Sequence, residues 1–163
     1  MQPKLSTTTL FQPETIYTST ATSQVEVFKE IAQKLYQRNL VTASFVNNLI
    51  DREIHYPTGM DLSVISSHYP NIAIPHTECE FVKTRRIIPV KLINPLTFHS
   101  MIAPASTLEV HFLFMILNDD PEGQVNVLAQ IMDFISQTPS DQLEHFFKLT
   151  TPNEIYQFLN QNF

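Results

Sequence analysis

The chain has 163 residues, 43% of them hydrophobic and 16% charged, with ten Lys and Arg against sixteen Asp and Glu for a net charge of −6. That size and make-up describe one soluble globular domain, able to bury a core without disulfide or metal staples, and the acidic balance speaks against a nucleic-acid binder, which carries a basic face. The single cysteine, Cys79, excludes an internal disulfide and a cysteine-based zinc finger, which makes a reducing, cytoplasmic setting the expectation. The opening residues lack the apolar run of a signal peptide. The most apolar stretch, Phe112 to Leu117, falls well short of the roughly 20 residues a membrane span needs. No direct membrane insertion is expected.

Residues 1–14 show no periodicity and are expected to form a flexible N-terminal arm, leaving residues 15–163 as a single domain. Thr15-Ile16-Tyr17-Thr18 reads as a first strand. Ser23-Gln24-Val25-Glu26 reads as a capping box, and Val25, Phe28, Ile31, Ala32 and Leu35 behind it recur at helical spacing to about Asn39. A second helix starts near Thr42 or Ser44, turns Phe45, Leu49 and Ile50 inward, and stops by Pro57. Ile72-Ala73-Ile74 and Arg86 to Asn94 read as strands. Pro89 predicts an edge position or a bulge for the second of them, because proline cannot donate to a ladder. Leu108 to Leu117 is apolar without interruption, which predicts a central strand covered on both faces. Three helices follow: one through Val125, Leu128, Ile131, Met132 and Ile135, one through Leu143, Phe146 and Phe147, and a last one opened by the box Thr151-Pro152-Asn153-Glu154. The order predicts an α+β fold of three layers (α/β/α), with a mixed sheet of four to five strands and helices on both faces.

Only two glycines, Gly59 and Gly123, occur, which rules out a glycine-rich phosphate loop. None of the six histidines stands at metal-ligand spacing, so no metal and no cofactor are expected. The ordinary role of a histidine is a surface or hydrogen-bonded core imidazole. His76 stands apart by context. An apolar strand and a fixed proline exit, Ile72-Ala73-Ile74-Pro75, deliver one imidazole where the sheet holds it and solvent reaches it. Imidazole is a nitrogen nucleophile, substantially neutral at physiological pH.

Leu49-Ile50-Asp51-Arg52-Glu53, Tyr56-Pro57-Thr58-Gly59 and Ile72-Ala73-Ile74-Pro75-His76-Thr77, in that order and spacing, resemble enzyme IIA of the bacterial sugar phosphotransferase system (PTS). The match is to the fructose–mannitol superfamily and looks closest to its galactitol-type branch. It continues through Asn94-Pro95-Leu96-Thr97-Phe98, the strand Val110 to Leu117 and Leu128-Ala129-Gln130, covering about residues 23–160.

The resemblance implies a PTS EIIA type-2-like domain that relays phosphoryl groups. The phosphocarrier HPr would donate to His76, which would pass the group to a cognate IIB component, with no direct contact to sugar. Arg52 matches the family arginine near the site, where a guanidinium can fork onto phosphate oxygens. Thr58 and Gly59 would present a turn whose N–H groups face the phosphate. Some branches place a second histidine at the start of the helix after the long strand; Gln124 stands there and would still donate a hydrogen bond. His111 is not at the matching position and remains a possible pocket residue beside a packing role. Ile102 replaces a glycine often found after the family's Met, here Met101. Met60, Ile74 and Met101 are candidates for an apolar docking patch around His76, or for core. The alternative is a regulatory IIA-like protein that binds its target according to its phosphorylation state.

Overall fold

The computed structural model describes residues 10–163, residues 124 and 125 by their backbone alone. In chain order the elements are β1 (Tyr17–Ser19), α1 (Gln24–Gln37), α2 (Phe45–His55), β2 (Gly59–Met60), β3 (Asn71–Ala73), β4 (Arg86–His99), β5 (Thr107–Leu117), α3 (Gln124–Gln137), α4 (Ser140–Lys148) and α5 (Pro152–Asn162). The strands form a five-stranded sheet in the order β1-β4-β5-β3-β2. Pairing is parallel for β1/β4 and β3/β5 and antiparallel for β4/β5 and β2/β3, so the sheet is mixed, as expected. No helix of the described residues is long and apolar enough to cross a membrane.

Alternation along β5 builds two cores, because successive side chains of a strand point to opposite faces. Leu113, Met115 and Leu117 meet Phe28, Ile31 and Leu35 of α1 and Phe45 and Leu49 of α2. Phe112, Phe114 and Ile116 meet Ile131 and Phe134 of α3, Phe146 and Phe147 of α4, and Ile155 and Leu159 of α5. The second core is aromatic: Phe112 and Phe146 have centroids 5.3 Å apart, and Phe134 and Phe146 5.5 Å. The central, doubly covered strand is therefore the one that the apolar run indicated.

Both helix N-caps form. The Ser23 hydroxyl accepts from the Glu26 N–H at 3.1 Å, and the Thr151 hydroxyl from the Glu154 N–H at 3.3 Å. Helix α1 ends where Asn39 adopts φ 60°, a left-handed step that asparagine tolerates better than most residues. Val25 is turned outward, and Val27 takes the buried position expected of it.

Two expectations change. The β4 strand is not an edge: it lies between β1 and β5. Pro89 is accommodated because β1 pairs only with Val90, Lys91 and Leu92, leaving the proline one position ahead of that ladder. The irregularity of register falls later, between Lys91 and Leu96. Part of the segment expected to be a flexible arm is packed instead. Residues 1–9 lie outside the described residues, but Leu10 and Phe11 are fully buried, and Phe11 packs edge-on against Phe163 at 4.8 Å. Two large apolar side chains in an otherwise polar segment are what dock it.

Candidate functional site

His76 leaves the sheet beside the C-terminal end of the central strand. The Ile74 N–H donates to the Thr58 carbonyl at 3.3 Å, the Ile116 N–H donates to the Pro75 carbonyl at 2.9 Å, and His76 itself bridges to Ile116. Strand ends of this kind hold a side chain rigidly while opening it to a crevice.

The imidazole is half-buried, and its Nδ1 lies 2.9 Å from the carbonyl oxygen of Ile74. A carbonyl only accepts, so Nδ1 carries the proton and Nε2 keeps its lone pair. Burial holds the His76 pKa below the usual imidazole value; the bond to Ile74 opposes that and the Arg52 charge adds to it. The ring is thus neutral near pH 7, with one nucleophilic nitrogen.

A cleft of about 240 Å³ joins His76 to Arg52, Thr77, Glu78, Asn118 and Pro121. Arg52 stands in the last turn of α2, where a cation suits the helix dipole. Its guanidinium lies 3.8 Å from the Glu78 carboxylate and 5.2 Å from the centroid of the Tyr56 ring. That ion pair is partly exposed and at the long end of the range, so Glu78 can give way to a better anion. Asn118 ends β5 and is buried; its side-chain oxygen accepts from Arg85 Nε and from the Asp120 N–H, both at 3.3 Å. Arg85 also reaches the Asp120 carboxylate at 3.1 Å. These contacts shape the loop that leads into α3.

The structure brings Arg52 and His76 together and leaves other expected site residues elsewhere. Thr58 does not line the cleft. Its N–H and its hydroxyl both donate to the buried Glu53 carboxylate, at 2.6 and 2.8 Å, so no donor remains for phosphate. Gly59 is a sheet residue: it pairs with Ala73, bridges to Ser100, and its carbonyl accepts from the Met101 N–H at 2.8 Å. A Cβ at this position would meet the His99 carbonyl oxygen at 2.6 Å. Gln124 opens α3, and its side chain lies outside the described residues. His111 lies on β5 outside the cleft, at a break in register, with a buried Nδ1 that has no hydrogen-bond partner among the described residues.

The docking patch also needs correction. Ile74 is fully buried and serves the core. Met60 and Met101 line a separate apolar cavity of about 340 Å³ with Val64 and Ile65. Ile102 is exposed on the turn between β4 and β5.

Glu53 and Asn118 were not singled out in the sequence. For Glu53 a signal existed: Phe45, Leu49 and Glu53 recur every four residues, which puts the carboxylate on the buried face of α2. For Asn118 the signal is weaker, a single polar residue ending an apolar strand.

The family model for the phosphoenolpyruvate-dependent sugar phosphotransferase system, EIIA 2, matches residues 9–162. Among solved structures, the mannitol IIA of Escherichia coli is 17% identical, covering 91% of this chain and 98% of its own, with a TM-score of 0.69. A complex of mannitol IIA with phosphorylated mannitol IIB from the same organism matches at 16% identity, 93% and 97% coverage and a TM-score of 0.69. The nitrogen regulatory protein IIA-Ntr of Neisseria meningitidis matches at 18% identity, 94% and 97% coverage and a TM-score of 0.62. At these identities the solved structures speak to the fold. No curated protein matches the sequence.

Proposed function

Because the chain belongs to the EIIA 2 family of the phosphoenolpyruvate-dependent sugar phosphotransferase system, we propose that it is a cytoplasmic IIA component that takes a phosphoryl group on Nε2 of His76. The donor is the phosphocarrier HPr and the acceptor a cognate IIB component. The observation that carries this reading is the bond from His76 Nδ1 to the Ile74 carbonyl, which leaves Nε2 free beside Arg52.

The chemistry balances without a cofactor. The Nε2 lone pair forms the new N–P bond while the bond from phosphorus to the donor nitrogen breaks, and that electron pair returns to the donor. No proton leaves Nε2, and Nδ1 keeps its own. The Ile74 carbonyl then faces a ring of greater positive character, which strengthens the bond it accepts. Arg52 exchanges Glu78 for the phosphoryl oxygens and offsets their charge during in-line transfer. The reverse sequence delivers the group to IIB. Catalysis on this scheme is positioning and electrostatic stabilisation.

The galactitol-type branch rests on the sequence resemblance; the solved structures named above are of mannitol and nitrogen-regulatory kinds. Sugar specificity belongs to the permease in this reading, as the IIA component does not contact sugar. A second reading is regulatory, favoured by the likeness to a nitrogen regulatory IIA protein. The two share His76 and separate downstream. Incubation with phosphoenolpyruvate, enzyme I and HPr, with mass spectrometry under mildly alkaline conditions, tests the shared step. Onward transfer to a IIB component supports transport. Its absence, with capture of a target by only one phosphorylation state, supports regulation.

A further inference from the structure

The buried carboxylate of Glu53 has no role in the transfer chemistry above, yet it stands at one end of a series of hydrogen bonds that leads through Thr58 and Ile74 to His76. Glu53 accepts from the Thr58 N–H at 2.6 Å and from the Thr58 hydroxyl at 2.8 Å. The Thr58 carbonyl accepts from the Ile74 N–H at 3.3 Å. The Ile74 carbonyl accepts from His76 Nδ1 at 2.9 Å. The N–H and C=O of Thr58, like those of Ile74, lie on adjacent peptide groups joined through Cα, so the link is one of position: what holds Thr58 in place sets where Ile74, and through it the imidazole, is held.

We propose that Glu53 is a positioning residue for His76, fixing the tautomer and orientation of the imidazole through Thr58 and Ile74 without touching the phosphoryl group.

Three features support a role beyond packing. The carboxylate is 5% exposed, and an acid is rarely retained at such a depth without a specific partner. Its partners sit on the turn that leads into β2, the strand paired with β3 just before β3 delivers His76. No cation neutralises it. The titratable groups on its own helix are Asp51, Arg52 and His55, and the one facing the same cavity from β4 is His99; none of them forms an ion pair with Glu53 among the described residues. Among the described residues, Thr58 alone donates hydrogen bonds to it. Burial raises its pKa to about 7, and the two bonds from Thr58 work in the opposite direction. Charged, Glu53 pulls on both Thr58 donors. Protonated, it offers one of them a weaker acceptor, and the chain to His76 slackens.

This inference rests on His76 as the phosphoryl acceptor only for its consequence in rate; the coupling itself is measured without a donor. Histidine labelled with 15N reports the tautomer and titration of His76 by NMR. In the unaltered protein, His76 Nδ1 is expected to show its own titration plus a second inflection near pH 7. In Glu53→Gln that second inflection disappears and the Nδ1–H tautomer is less populated. Thr58→Val, which loses the hydroxyl donor and keeps the N–H, moves the second inflection to higher pH, while Thr58→Ser, which keeps both donors, retains the original profile. In single-turnover transfer from phosphorylated HPr at pH 7.5, Glu53→Gln is expected to be slower by about tenfold, with unchanged apparent affinity for the donor. If folded Glu53→Gln and Thr58→Val proteins give His76 resonances that coincide with the unaltered protein at every pH, the inference is overturned. If the coupling is present and the unaltered protein accepts no phosphoryl group, the reading of His76 fails and the positioning chain stands.

Discussion

His76 Nδ1 donates to the carbonyl of Ile74, two residues back along the chain, at 2.9 Å. That one contact selects which ring nitrogen is free and points it into the cleft that Arg52 shares. A strand end, a proline and a buried isoleucine thereby give a generic imidazole one defined tautomer and orientation.

Replacement of His76 by Gln is expected to abolish phosphorylation while leaving the melting temperature within a few degrees of the original. The ring is half-buried at the mouth of a cleft and adds little to either core. Mass spectrometry after incubation with enzyme I, HPr and phosphoenolpyruvate reads the first outcome, and a melting curve the second. A variant that still gained one phosphoryl group at full rate would show that the acceptor lies elsewhere.

Arg52→Ala is expected to slow phosphoryl transfer to His76 by at least about a hundredfold, the size of a lost charge clamp. Arg52→Lys recovers only part of that rate, because an ammonium keeps the charge and loses the fork. Stability changes by no more than about 1 kcal/mol, since the guanidinium's pair with Glu78 is partly exposed. Single-turnover transfer from phosphorylated HPr decides the matter. Near-normal rates for both variants would make Arg52 an ordinary helix-end cation.

Stability also depends on pH through Glu53, and the sign is fixed by the direction of its shift. Its folded-state value is raised from 4.5 to about 7, so the folded protein holds a proton that the unfolded chain releases. The stabilisation from that proton is complete below about pH 4.5 and is lost as pH rises through 7. It amounts to roughly 3 kcal/mol at most. His76 acts the other way. Its lowered value means that the unfolded chain takes up a proton first, so stability falls as pH drops below 6.5. Comparison of the original protein with Glu53→Gln isolates the Glu53 contribution together with its coupling to His76. The difference in unfolding free energy is expected to favour the original protein increasingly between pH 8 and pH 5. A difference that stays flat over that range contradicts the assignment.

The two glycines predict unequal costs. At Gly59 an added methyl meets the backbone carbonyl of His99, which the β4–β5 ladder holds in place, so Gly59→Ala is expected to lose about 1–3 kcal/mol. At Gly123 the methyl meets the guanidinium of Arg85. That group is the end of a flexible side chain and can move aside, giving up a partly exposed pair with Asp120 worth up to about 1 kcal/mol. Urea unfolding of the two variants should rank them in that order.

Much of the fold was legible because its signals are local. The two helix N-caps, the helical spacing in α1 and the apolar continuity of β5 each follow from residues close in sequence. The place of β4 in the sheet was not, because what excuses Pro89 is the three-residue length of β1, some seventy positions earlier. Within the site, His76 and Arg52 were legible as motif residues, and the cleft joins them. The role of Thr58 was misread, since a turn's N–H groups look available until the carboxylate that takes them is seen. Glu53 could have been recognised by its spacing from Phe45 and Leu49, but only the fold shows that its hydrogen bonds lead to His76.

The most direct test is the position of the phosphoryl group on the ring. Long-range 1H–15N NMR of the protein, phosphorylated through enzyme I and HPr at alkaline pH, distinguishes the two ring nitrogens of His76. The expected spectrum shows phosphorus bonded to Nε2 and a proton retained on Nδ1, still hydrogen-bonded to Ile74. Phosphorus on Nδ1, or on a residue other than His76, would contradict the geometry on which the proposed function stands.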